Sequence, residues 1–116
     1  MIIYNAEING ELKTVVTENG KIAAVEENRK DGDINADGCR LIPGLIDVHT
    51  HGCIGMDTMD ADFEPMCRFY AEHGTTSFLP TTMTMGYDSL LKVVNAKTDF
   101  AGANILGFHF EGPYIS

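Results

Sequence analysis

The sequence predicts an α/β fold in two parts, an antiparallel sheet followed by a parallel sheet. Before residue 40, two Asn-Gly dipeptides separate three strand-like runs, and after it apolar runs alternate with segments of helical periodicity. Asn-Gly between such runs is typical of hairpins, whereas alternating strands and helices indicate parallel strands joined by right-handed crossovers. We therefore divide the chain into domain portions at 1–40 and 41–116.

The first part is predicted to be a three-stranded meander. Asn9-Gly10 and Asn19-Gly20 form its turns, which places strands at 2–8, 12–17 and 21–25. The polar stretch 26–37 then predicts a loop, and Asp37-Gly38 predicts a further turn. A sheet of this size is marginal unless another layer covers its apolar face, so we expect such a layer.

The second part begins with the apolar run 41–52, which predicts a buried strand. A helix follows, capped by Asp62, ended by Gly74, and apolar at i, i+3, i+4 and i+7. Residues 75–81 predict the second strand. A second helix starts at Asp88 and buries Leu90, Leu91 and Val94, and residues 104–110 predict the third strand. The buried positions of the first helix are Phe63, Met66, Cys67 and Tyr70.

A histidine pair closes the first strand of this second part. His49 and His51 are two residues apart, so both side chains leave the same face of the strand and can bind one metal ion. Glu111 ends the third strand, directly before Gly112-Pro113, and supplies an oxygen ligand of the kind found in catalytic metal sites. The alternative is local hydrogen bonding for the histidines and a solvated loop position for Glu111.

Four segments resemble the N-acetylglucosamine-6-phosphate deacetylases of the amidohydrolase superfamily. They lie at 43–52, 57–60, 73–82 and 106–116. The resemblance implies a small β-sandwich portion followed by about three strands of a (β/α)₈ metal-dependent hydrolase barrel. Because such a barrel needs about 250 residues, we expect this chain to be an N-terminal fragment that is inactive alone. The remaining ligands and a proton-transferring aspartate are expected beyond residue 116, which leaves no catalytic residue within the chain.

The resemblance also implies the chemistry of the site. His49, His51 and Glu111 would hold a divalent metal, with zinc expected first and iron, cobalt, nickel or manganese also suited to these ligands. One or two ions are expected per complete barrel, and Glu111 would bridge two. The substrate would be a phosphorylated amino sugar, N-acetylglucosamine 6-phosphate, which is hydrolysed to glucosamine 6-phosphate and acetate.

Two alternatives remain open at this stage. Dihydroorotases and hydantoinases share the His-x-His strand and act on cyclic amides. The chain could also be a catalytically silent segment that only associates with the remainder of a barrel or with its own copies. We expect the full-length enzyme to be a homo-oligomer.

Four other residues are candidates for contacts around the ligands. Asp47 has the strand parity of the histidines and could orient one of them, although a structural hydrogen bond fits it equally. His109 has the parity of Glu111, but a lone histidine is more often a hydrogen-bonded core residue. Thr81 and Thr82 could bind substrate or metal-bound water, or could simply be strand threonines.

Composition excludes several function classes. The formal net charge of −9 argues against a nucleic-acid surface, and no apolar run approaches a membrane span. The N-terminus lacks the basic and apolar regions of a signal peptide, so we expect a cytoplasmic location. The three cysteines, Cys39, Cys53 and Cys67, lack metal-ligand spacing, which favours reduced thiols.

Overall fold

The computed structural model describes residues 1–114 as a mixed α/β protein with two compact units, one ending at Pro43 and the other beginning at Gly44. The strands of the first unit are β1 (Ile2–Ile8), β2 (Glu11–Glu18), β3 (Lys21–Glu27) and β4 (Ile34–Asn35). The second unit contains β5 (Leu45–Thr50), β6 (Gly52–Cys53), β7 (Met56–Asp57), a 3₁₀ helix (Thr58–Asp60), α1 (Glu64–Glu72), β8 (Thr75–Pro80), α2 (Tyr87–Val94) and β9 (Asn104–Ile105). Neither described helix has the length and apolarity needed to cross a bilayer.

The first unit is one sheet with the strand order β3-β2-β1-β4. Its two predicted hairpins are confirmed, because each Asn-Gly pair forms a two-residue turn between antiparallel strands. Asn9 and Gly10 have φ values of 53° and 87°, and Asn19 and Gly20 have values of 50° and 73°. Positive φ at both central residues is the geometry that favours Asn-Gly in hairpins.

The loop predicted at 26–37 is wrong in two places. β3 continues to Glu27, and Ile34–Asn35 pairs in parallel with β1 as the fourth strand. Backbone and side-chain bonds hold this segment, since Ile2 N donates to Asp33 Oδ2 at 2.6 Å and Asp33 N donates to Ile2 O at 2.9 Å. A strand of two residues is too short to show periodicity, which is why the sequence pattern missed it.

The second unit is built on a parallel sheet with the order β5-β8-β9, as the alternation of strands and helices predicted. The apolar face of α1 packs on this sheet, and its Met66 and Cys67 are fully buried with Phe78 of β8. Val93 of α2 and Ala103 also belong to this buried cluster. The core therefore lies between the sheet and its two helices.

The predicted cap of α1 is wrong, although its end is confirmed. Phe63 occupies the N-cap position without a side-chain bond, so Asp62 does not cap this helix. The capping carboxylates belong to the preceding 3₁₀ helix, where Asp57 and Asp60 form a reciprocal capping box. Gly74 follows the last turn of α1 with φ of 86°, a left-handed conformation that suits glycine.

The predicted buried face of α2 is wrong in part. Leu90 is buried, but Val93 rather than Leu91 or Val94 completes the buried side. The helix also starts one residue before Asp88. Leu90 and Val93 are three residues apart and share a face, which turns Leu91 towards the surface.

The third predicted strand is shorter than residues 104–110. β9 contains Asn104–Ile105, and Gly107 then adopts φ of 149°. His109 rejoins the sheet through an isolated parallel bridge to Thr81. This irregular path still brings the residues after His109 to the end of β8.

β5 forms where a strand was predicted, but the expected burial of its apolar side chains is wrong. Leu45, Ile46 and Val48 are 58%, 60% and 61% exposed. Among residues 1–114, β5 hydrogen-bonds in its sheet to β8 alone, so its other edge remains open. These side chains have the apolar character of a buried strand without the layer that would bury them.

Candidate metal centre

Three predicted ligands meet at the carboxyl-terminal edge of the parallel sheet. The Nε2 atoms of His49 and His51 are 3.3 Å apart. Glu111 Oε2 lies 3.0 Å from His51 Nε2 and 3.4 Å from His49 Nε2. The three residues are close enough for one ligand atom from each to bind a common ion.

The donor set fits a divalent metal. Bonds of about 2.0–2.1 Å to a tetrahedral ion separate its ligand atoms by about 3.3 Å, close to the observed spacings. Glu111 Oε2 is enclosed, yet it receives no hydrogen bond within the described part of the chain. An enclosed carboxylate oxygen without a donor is costly unless a cation satisfies it. All three side chains keep partial exposure, at 50%, 39% and 41%, which leaves the site open to solvent.

A bulge in β5 places the histidine pair. Asp47 pairs with Phe78 and Thr50 pairs with Pro80, so three steps along β5 match two along β8. Such bulges redirect side chains at strand ends. The His49 backbone N–H donates to Asp47 Oδ1 at 3.0 Å. Asp47 therefore contacts the backbone of His49 and not its imidazole.

The orientation of His51 is set by its neighbours. His51 Nδ1 lies 3.2 Å from the Thr81 carbonyl oxygen, which can only accept, so a proton on Nδ1 would complete a hydrogen bond between them. That tautomer would direct the Nε2 lone pair towards His49 and Glu111. The next residue, Gly52, has φ of 150°, and a Cβ there would collide with the Met56 carbonyl oxygen.

Glu111 is held by backbone contacts to the segment after β8. Its N–H donates to Thr82 Oγ1 at 3.3 Å, and its carbonyl oxygen accepts from Thr84 Oγ1 at 3.1 Å. The following Gly112-Pro113 peptide is cis. These contacts leave the carboxylate directed at the histidines.

The other sequence candidates surround the ligands without joining them. The His109 ring centre lies 4.6 Å from that of His49, with the planes nearly perpendicular, and His109 Nδ1 is 3.4 Å from Thr81 Oγ1. His109 is absent from the group of residues whose ligand atoms converge within 1–114. Thr81 and Thr82 are fully buried, and their hydroxyls are engaged by protein groups.

Sequence reasoning treated Tyr70 only as a core residue and missed its contact with the site. Its hydroxyl is hydrogen-bonded to Thr50 Oγ1, between the two histidines, and donates to Gly52 O at 3.4 Å. Burial raises the pKa of Tyr70, and it also raises the pKa of the Cys53 thiol beside it. The helical periodicity placed Tyr70 correctly, but its polar end carried no separate signal.

Comparisons with known proteins agree with the resemblance read from the motifs. The family described as "Amidohydrolase family" matches residues 40–116. The N-acetylglucosamine-6-phosphate deacetylase of Bacillus subtilis is 40% identical over 119 residues, which cover 93% of this chain and 29% of that protein. The protein of the same name from Vibrio furnissii is 37% identical, covering 99% of this chain and 32% of its own length.

Solved structures give the same result. The crystal structure of the Thermotoga maritima N-acetylglucosamine-6-phosphate deacetylase matches the whole chain with a TM-score of 0.74 and 34% identity, over 33% of that protein. The Pasteurella multocida deacetylase matches with a TM-score of 0.71 and 26% identity. The chain spans about a third of the length of these relatives. With most of its length matched by the family description, the chain belongs to the amidohydrolase family.

Proposed function

We propose that this chain supplies part of the metal site of an enzyme that removes the acetyl group from N-acetylglucosamine 6-phosphate. The products are glucosamine 6-phosphate and acetate. The observation that carries the proposal is the convergence of His49, His51 and Glu111 at one edge of a parallel sheet. The names of the similar proteins add the substrate, and they favour the linear acetamide over the cyclic amides.

The proposal includes the larger architecture. Residues 41–116 would form the first three strands and two helices of a (β/α)₈ barrel, and residues 1–40 would form strands of a small β-sandwich. The position of the ligands supports the barrel, because such folds gather reactive groups at the carboxyl ends of their strands. The proton-transferring aspartate is assigned to no residue of this chain.

The ligand residues have distinct tasks in this proposal. His49 and His51 would hold the ion through Nε2 and Glu111 would hold it through its carboxylate, which would also be the group shared with a second ion. Zinc suits this nitrogen and oxygen set first, although iron, cobalt, nickel and manganese also accept it. When bound, the metal would activate the acetamide carbonyl and a water molecule for amide hydrolysis. Partial exposure of all three side chains lets the acetamide approach.

Acetate release from N-acetylglucosamine 6-phosphate by the complete protein tests the proposal. Loss of a ligand removes several kcal/mol of transition-state stabilisation, so His49→Ala should lower kcat/KM by about 100-fold or more. Glu64→Gln is the matched control, because Glu64 is an exposed acid on α1 and its variant should keep full activity. Dihydroorotate and hydantoin serve as competing substrates. Turnover of either without acetate release would contradict the proposed substrate.

A further inference from the structure

Thr81 directs its polar contacts at one short segment of β5, the strand that carries both histidines. Its backbone N–H donates to Thr50 O at 2.7 Å, its hydroxyl accepts from Thr50 N at 3.0 Å, and its carbonyl accepts from His51 Nδ1 at 3.2 Å. Thr50 is the residue between the two histidines. All three polar groups of one fully buried threonine thus contact the Thr50-His51 dipeptide.

The hydroxyl of Thr81 is inserted into the sheet ladder. Thr50 pairs with Pro80, and in a regular parallel ladder its N–H would therefore donate directly to Leu79 O. Thr81 Oγ1 stands between these two groups instead, accepting from Thr50 N and donating to Leu79 O at 3.3 Å. One ladder bond is replaced by two bonds through a side chain.

The insertion lies at the bulge from which the ligands leave β5. A bridging hydroxyl holds the two backbones further apart than a direct N–H to carbonyl bond would. The remaining acceptor site of Thr81 Oγ1 faces His109 Nδ1 at 3.4 Å, and the His109 ring packs edge-on against His49. The same hydroxyl therefore contacts both the backbone between the ligands and a ring beside one of them.

We propose that Thr81 is a positioning residue, whose inserted hydroxyl and carbonyl set the separation and orientation of His49 and His51 for metal binding. Full burial keeps this side chain from substrate, so its effect acts through the ligands. The inference rests on the proposed metal site. It also makes a claim about the metal-free protein, namely that His51 carries its proton on Nδ1.

The test compares three variants of the protein by cobalt titration, with the d–d absorption as the readout of ligand geometry. Thr81→Val keeps the shape but removes the hydroxyl, and should weaken binding about 10- to 100-fold with an altered spectrum. Thr81→Ser restores the hydroxyl and should recover the original spectrum. Thr76→Val is the matched control, because Thr76 Oγ1 contacts Leu45 O between the same strands at their far end. Equal affinities and spectra for the valine variants would overturn the proposal.

Nitrogen-15 spectra of the unsubstituted, histidine-labelled, metal-free protein provide a measurement that needs neither the metal nor a variant. They should show His51 with a proton on Nδ1. A His51 ring that carries no proton on Nδ1 would overturn the proposal. If the unsubstituted protein binds no cobalt, the metal site itself is wrong, and the tautomer still decides whether Thr81 orients His51.

Discussion

The two ends of β5 differ in how completely neighbouring residues hydrogen-bond or bury them. At the carboxyl end, Thr50 has its N–H, carbonyl and hydroxyl all hydrogen-bonded within the unit. At the amino end, Leu45 and Ile46 are mostly exposed, and so is Val48 further along the strand. The contrast shows that the polar bonds around the candidate ligands are completed within this unit, whereas burial of an apolar strand requires a whole further layer.

The largest effect should separate the packed side of the unit from the uncovered strand. Phe63 is fully buried against the Phe108 ring, so Phe63→Ala should lower the free energy of unfolding by about 3–5 kcal/mol. Val48→Ala should change it by less than about 0.5 kcal/mol because Val48 is already exposed. Urea denaturation measures both. Similar losses would mean that β5 is covered in solution.

Thiol reactivity sharpens the same contrast between buried and open positions. Cys39 is exposed and Cys67 is buried, and burial raises the pKa of the Cys67 thiol, which lowers its thiolate fraction at pH 8. Alkylation of Cys39 should therefore be at least about tenfold faster than alkylation of Cys67. Mass spectrometry of the labelled peptides measures the two rates. Urea should remove the difference. Equal rates in the folded protein would contradict the described packing of α1.

The smallest effect on stability, and an informative one, is expected from a charge on the uncovered strand. Val48→Lys should reduce self-association, because exposed apolar strands and open sheet edges favour pairing between chains. Its free energy of unfolding should change by less than about 0.5 kcal/mol. Leu12→Lys is the control, since Leu12 is also exposed but lies on β2, which has a neighbouring strand on each side. Light scattering after size-exclusion chromatography measures the mass; a monomeric unsubstituted protein would contradict association through β5.

Local sequence patterns predicted much of the secondary structure. The Asn-Gly turns, the parallel direction of the strands in the second unit and the core face of α1 follow from short-range rules, because φ preferences and apolar periodicity act within a few residues. The convergence of His49, His51 and Glu111 was also anticipated, since parallel strands bring their carboxyl ends to one edge. Strand parity was sufficient for the two histidines, whereas Glu111 reaches the same edge along the irregular path that follows β9.

The details that complete the candidate site were not predictable from the sequence. The bulge at His49 and the inserted Thr81 hydroxyl depend on the register between β5 and β8, which involves residues about thirty positions apart. Threonine at a strand end carries no sign of such a role. Tyr70 was likewise read from its apolar periodicity, which says nothing about where its hydroxyl points.

Metal content is the most direct test of the central claim that His49, His51 and Glu111 form a metal site. After reconstitution with zinc and removal of free ion, elemental analysis should find bound zinc in the unsubstituted protein and a loss of about one ion per chain in the His49→Ala/His51→Ala variant. His73→Ala, which removes an exposed histidine after α1, should retain the ion. Unchanged zinc in the double variant would contradict the account.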